Sequence, residues 1–215
     1  GRLSRTSAYV TATTYGAMPE VHNALEKVRM AHIGVEGVSH RARPYTASGA
    51  MYASWVHNAL SDSFLAAYEA YGAHSLTSGD ADRYVTEQAR LGALVKATEL
   101  PQTRTDLARW IATHPDAGPS PGMEQAVAFL RNPPLPPTVL PVYGVLFHAA
   151  AATVPSRIAQ ILGVRRFIWA RPTGDVLTAA LRWSLGASPS WWLALERTRG
   201  AAPSGVRFLR PPPTG

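Results

Sequence analysis

Residues 48–71 read SGAMYASWVHNALSDSFLAAYEAY, and their spacing decides the fold class. Ser48 stands where a helix N-cap belongs and Gly72 follows as a stop, while Tyr52, Val56, Leu60, Phe64 and Tyr68 recur at every fourth position. That is the period of one helix face and not of a strand, so the stretch predicts a long helix whose apolar stripe faces the core.

The same period recurs on either side, parted by proline and glycine. Helices are expected over 3–15, closed by Gly16, and from Pro19 to Ile33, closed by Gly34 and Gly37. A proline is well placed at a helix start because its missing N–H would have no partner there. The segment holding Arg41, Arg43 and Pro44 reads as a loop. Further helices fit 80–98, 103–114, 121–131, 138–153, 156–162 and 174–186, and Pro133, Pro134, Pro136 and Pro137 make a stiff connector. The expectation is an all-α single domain of about eight to nine helices over 1–199, with a Pro-, Gly- and Arg-rich tail over 200–215.

At 215 residues the chain can bury a sizeable core. With 46% apolar and only 16% charged residues, it has few charges to cover a surface, so some surface should be apolar or membrane-adjacent. The net charge of +7 is uneven: from residue 151 onward Arg157, Arg165, Arg166, Arg171, Arg182, Arg197, Arg199, Arg207 and Arg210 face only Asp175 and Glu196. Nothing resembles a nucleic-acid-binding signature, so no nucleic acid is expected; haem propionates or an anionic membrane face suit such a surface. Peripheral membrane contact would draw on this third and on Trp183, Trp191 and Trp192.

Cysteine is absent, which removes disulfides, thiolate haem, iron–sulfur clusters and cysteine nucleophiles and is compatible with a cytoplasmic setting. The apolar run Val139 to Val154 is interrupted by Pro141, Gly144 and His148 and falls short of the roughly 20 residues of a spanning helix. No signal peptide opens the sequence. The opening on Gly1 in place of Met leads to the expectation of a further segment upstream.

Metal chemistry must come from histidine, carboxylate or tyrosine. His40, His74 and His114 sit beside polar neighbours at predicted loops or helix ends and read as solvated. His148, in an apolar helix, reads as a hydrogen-bonded core residue. His22 and His32 share a helix ten positions apart, about 15 Å along the axis, too far to share an ion, and Gly34 separates His32 from Glu36. His32 has Arg29 three residues earlier and Leu25, Val28 and Met30 around it. One imidazole on an apolar helix suffices for a haem, whose porphyrin fills four iron positions, and a nearby arginine can pair with a propionate. A surface arginine beside a satisfied histidine explains the same letters.

Six short pieces then occur in one order: Arg2-Leu3-Ser4-Arg5-Thr6; Val28-Arg29-Met30-Ala31-His32 followed by Gly37; Tyr45-Thr46-Ala47 with Trp55-Val56-His57; Tyr84-Val85-Thr86-Glu87; Glu99-Leu100-Pro101; and Val154-Pro155-Ser156-Arg157. Together they resemble the signature of the MpaB and rubber oxygenase (latex-clearing protein) family over most of 1–198. The resemblance implies a globin-like helical domain holding haem b, which with dioxygen cleaves a carbon–carbon double bond of an apolar, isoprenoid-like alkene. It makes His32 the proximal iron ligand with Arg29 beside it, and puts Arg2, Arg5 and Thr6 on the distal, catalytic side. Position 5 is arginine where the rubber enzymes carry lysine, and arginine does not deprotonate to become a ligand. Their acidic catalytic base lies upstream of the matched segment, ahead of Gly1. His57 has three readings: a structural residue bonded near Tyr45, a haem-pocket lining residue, or a second axial ligand or proton relay. Tyr52, Trp55 and Phe64 are expected to line the substrate channel. The rival functions are a haem or hydrophobic-ligand carrier without turnover and a helical interaction module on a membrane surface.

Overall fold

The computed structural model describes the backbone of residues 2–200 and the side-chain surroundings from Ser4 to Gly200. Its described residues form ten helices and one small hairpin, and they group into two compact units, Gly1–Val35 with Ala180–Gly215, and Glu36–Ala179. The all-α reading holds. The tail, apart from Gly200, lies outside the described residues.

In the first unit α1 (Arg2–Tyr15) and α2 (Met18–His32) are joined by Gly16 and Ala17 and pack on each other as an αα-hairpin. A Cβ on Gly16 would collide with the Ala12 carbonyl, so the turn needs glycine. The Glu20 carboxylate accepts from the Ala17 N–H at 2.6 Å, covering a donor that the helix start leaves unpaired. Beyond α2, α10 (Pro189–Thr198) packs on α1; its Arg197 donates to the Tyr15 carbonyl at 3.0 Å and lies 3.6 Å from Glu20. This helix was not expected, although Ser188 caps it by accepting from the Trp191 N–H and Pro189 opens it.

The second unit begins with a hairpin, β1 (Glu36–Val38) and β2 (Pro44–Thr46), antiparallel with Gly37 opposite Tyr45. The loop reading of this segment is therefore corrected. Two three-residue strands around Ala42 at φ 56° are too short to show an alternating pattern. A Cβ on Gly37 would press on the Tyr45 hydroxyl at 3.1 Å and on its ring at 3.2 Å, which accounts for the glycine.

Next come α3 (Ala50–Tyr71), α4 (Ser78–Leu94) and α5 (Arg104–Thr113). Leu65, Ala81, Val85, Leu107 and Ile111 pool their apolar faces into the core of this unit. Thr77 and Asp80 cap α4 reciprocally and Thr103 caps α5. Helix α3 starts from Gly49, not Ser48, whose hydroxyl instead bonds that of Thr46 at 2.9 Å. Then α6 (Pro121–Arg131), α7 (Leu140–Thr153), α8 (Ser156–Ile161) and α9 (Ala170–Leu185) follow, the proline run joining α6 to α7 inside this unit and α9 belonging to it as far as Ala179. Tyr71 donates to the Ala149 carbonyl at 2.8 Å, tying α3 to α7. Helix α9 starts four residues earlier than expected because Pro172 falls in its first turn, where no N–H is required.

The apolar stripe of α3 is not core. Tyr52, Val56, Phe64 and Tyr68 are exposed, and the buried face carries Ser54, His57, Asn58, Ser61 and Leu65. Small polar side chains let the chain after α4 come close: Ser54 Oγ accepts from the N–H groups of Thr98 and Glu99 at 3.0 and 3.3 Å, and Asn58 donates to the Glu99 carbonyl at 2.8 Å. Ser54 and Ser61 donate back to the Ala50 and His57 carbonyls. Each buried polar group is thus satisfied, which makes this face as dockable as an apolar one.

Candidate functional site

The site residues expected from the sequence fall in two places. Arg2, Arg5, Thr6, Arg29 and His32 belong to the first unit. Because α1 and α2 run as a hairpin, Arg5 lies roughly 15 Å up α1 from the turn and His32 roughly 21 Å up α2. The first turn of one helix and the last turn of the other therefore share one end. Arg2 opens α1 but its side chain lies outside the described residues. Arg5 and Thr6 are exposed.

His32 is the last residue of α2, exposed, and its imidazole makes no hydrogen bond among the described residues. Around it Met30, Ile33 and Val35 are exposed as well. Arg29 is held by Glu26 through two contacts of 2.7 and 2.6 Å, which keep the Glu26 carboxyl below its usual range. Both side chains are open to water, so the pair is easily exchanged for another anion.

A haem asks the protein for one free imidazole, an apolar surface against the macrocycle and a cation for its propionates. His32, the apolar side chains of Met30, Ile33 and Val35, and Arg29 lie toward the end of the hairpin and match those requirements in kind, all of them exposed. No cluster of three or more metal-ligating side chains occurs among the described residues, and an axial site needs none.

His57 belongs to the second unit and to a different environment. It is 9% exposed, and a Cβ on Gly92 of α4 would come within 2.8 Å of its ring and overlap Leu100. Burial lowers its pKa, opposed in part by a hydrogen bond to the Gln88 backbone. Its neutral ring thus fills the seam between α3 and α4, where the glycine lets it in.

Trp55, Trp110 and His114 cluster next to it in chain order, with centroids 4.5 to 5.7 Å apart. His114 is buried there, not solvated as its polar neighbours suggested; its Nδ1 accepts from the Asp116 N–H at 3.2 Å. Trp110 donates to Glu99 at 2.7 Å on the edge of a shallow groove that also includes Pro101, Gln102 and Arg109. Asp116 in turn receives Arg41 and Arg43 at 2.7 and 3.4 Å. Tyr52 and Phe64 lie on exposed parts of α3, Tyr52 against Tyr45 at 5.6 Å, apart from the Trp55 cluster.

Two further perturbed groups escaped the sequence reading. Tyr84, partly buried and donating to the Ser61 carbonyl, has its phenol pushed up to about 12, mainly by burial. Burial also raises Asp62, with Arg104 pulling it down. His148 is caged by Phe147, Phe167 and Trp169 at 5.0 to 5.4 Å, and its buried Nδ1 has no partner among the described residues, so the expected hydrogen bond is missing there at that nitrogen. No helix among the described residues is long and apolar enough to cross a membrane.

Compared with known proteins, residues 1–186 match a family model described as ER-bound oxygenase mpaB/B'/Rubber oxygenase, catalytic domain. Neither the curated proteins nor the solved structures contain a match.

Proposed function

This chain belongs to the family of ER-bound oxygenase mpaB/B' and rubber oxygenase catalytic domains, and from that premise we propose that it is a haem b-dependent oxygenase acting on an apolar, isoprenoid-like alkene. The observation that carries the reading is the shared end of α1 and α2, which brings the Arg2–Thr6 segment to the end where His32 presents an unpartnered imidazole. When bound, haem b would supply the dioxygen chemistry that cleaves the carbon–carbon double bond.

The residues of the chain would do the rest. His32 would hold the iron through a ring nitrogen, its position at a helix end leaving the ring free to turn. Arg29 would exchange Glu26 for a propionate. Met30, Ile33 and Val35 would keep water from that face. Arg2, Arg5 and Thr6 would offer hydrogen-bond donors on the catalytic side; a guanidinium has five N–H donors and no acceptor, so Arg5 would act as a donor and not as a ligand. His57, neutral and packed against Gly92, would act by supporting the α3 wall.

Absorption spectra of the purified protein after addition of haem test the reading, followed by oxygen uptake with squalene. A Soret band and uptake in the wild type, both lost in His32→Ala, are expected. A wild type that takes up no haem, or a variant with an unchanged band, would remove it.

A further inference from the structure

From Val164 to Arg171 the chain reads Val-Arg-Arg-Phe-Ile-Trp-Ala-Arg, in the connection between α8 and α9. Ile168 is 97% exposed at its tip, and Trp169 beside it is 42% exposed. An aliphatic side chain held almost wholly in water forgoes the gain of burial. This tip is nonetheless built, not loose: Phe167 and Trp169 stack at 5.3 Å, and both rings meet the edge of His148 on α7. Arg166 secures the base by donating to Ser156 Oγ at 2.8 Å, and the Arg165 guanidinium lies 5.1 Å over the Phe167 ring.

The charges around the tip are one-sided. Arg165, Arg166 and Arg171 form no ion pair among the described residues. Asp175 is the single carboxylate from Val164 to Leu185. On α9, Val176 is exposed as well. Aliphatic tip, flanking tryptophan and unneutralised arginines together match a bilayer interface, where the tip enters the acyl boundary, indole sits at headgroup depth and guanidinium meets phosphate.

We propose that the Arg165–Arg171 connection docks this protein on an anionic membrane surface, with Ile168 and Trp169 inserted and Arg165, Arg166 and Arg171 on lipid headgroups. The arginines set the choice of lipid, because a neutral bilayer offers them no net attraction. The docking stands apart from the haem reading, since neither His32 nor a cofactor takes part.

Flotation of the whole chain with phosphatidylcholine vesicles, with and without phosphatidylserine, tests the proposal. Binding is expected only with phosphatidylserine and should fade as salt is raised. Ile168→Asp should weaken it about tenfold, and Arg165→Gln about fivefold. Neither variant should shift the melting temperature, because both side chains are exposed. Absence of binding to either vesicle, equal binding to both, or binding indifferent to Ile168→Asp would each overturn it. So would an Ile168→Asp change that appears as loss of a dimer on gel filtration, which would assign the tip to a second copy of the chain.

Discussion

The seam between α3 and α4 and the far end of the α1–α2 hairpin treat an imidazole in opposite ways. At the seam, His57 is enclosed by Gly92 and Leu100, bonded to Gln88 and held neutral by desolvation. At the hairpin end, His32 has water on its ring and exposed apolar neighbours, with a weakly held arginine one turn back. Both stand in short pieces of sequence that resemble the family signature, so the resemblance alone does not separate a ligand from a spacer. Access does: the His57 ring is enclosed and bonded to Gln88, whereas the His32 ring is exposed and makes no hydrogen bond among the described residues.

Crowding the closed seam should have the largest effect on stability. Gly92→Val puts branched carbon where Leu100 and His57 already are, and should cost about 3 kcal/mol by urea denaturation. A loss below 1 kcal/mol would show the seam to be loose. Ser54→Ala should cost about 2 kcal/mol by the same measurement, because the Thr98 and Glu99 N–H groups lose their acceptor.

Acid distinguishes the two histidines more finely. The folded pKa of His57 lies below the unfolded value near 6.5. Between those values the unfolded chain binds a proton that the folded chain refuses, so stability falls as pH drops from about 6.5 toward the folded value. Melting curves of His57→Gln should lack that part of the slope, and an unchanged slope would place its origin elsewhere. Smallest of all, Arg29→Gln should leave the urea midpoint unchanged, since the Glu26 pair is open to solvent, while weakening haem uptake. An equal loss of stability and uptake would make the arginine structural.

Much of this architecture was legible from residue spacing, and the exceptions have physical causes. Helix positions followed from proline, glycine and capping residues, and α6 from Pro121 to Arg131 agrees with its expected limits. The face of α3 did not follow. Counting apolar letters selects Tyr52, Val56, Phe64 and Tyr68, but the packed side is set by how closely the segment after α4 can approach, which favours Ser54, Asn58 and Ser61. His114 was misjudged for the same reason: its polar neighbours in sequence are not its neighbours in space, which are Trp55 and Trp110. The hairpin escaped because its strands are short, and α10 because its two tryptophans suggested a surface more than a helix. For the site, sequence supplied the candidates, and only the antiparallel run of α1 against α2 places the Arg2–Thr6 and Arg29–His32 segments at one end.

Low-temperature electron paramagnetic resonance of the ferric, haem-loaded protein tests the ligand assignment most directly. With isotopically labelled histidine in the wild type, hyperfine coupling from an imidazole nitrogen is predicted, absent in His32→Ala and retained in His57→Gln. Coupling that survives in His32→Ala, or vanishes in His57→Gln while the fold persists, would contradict the account.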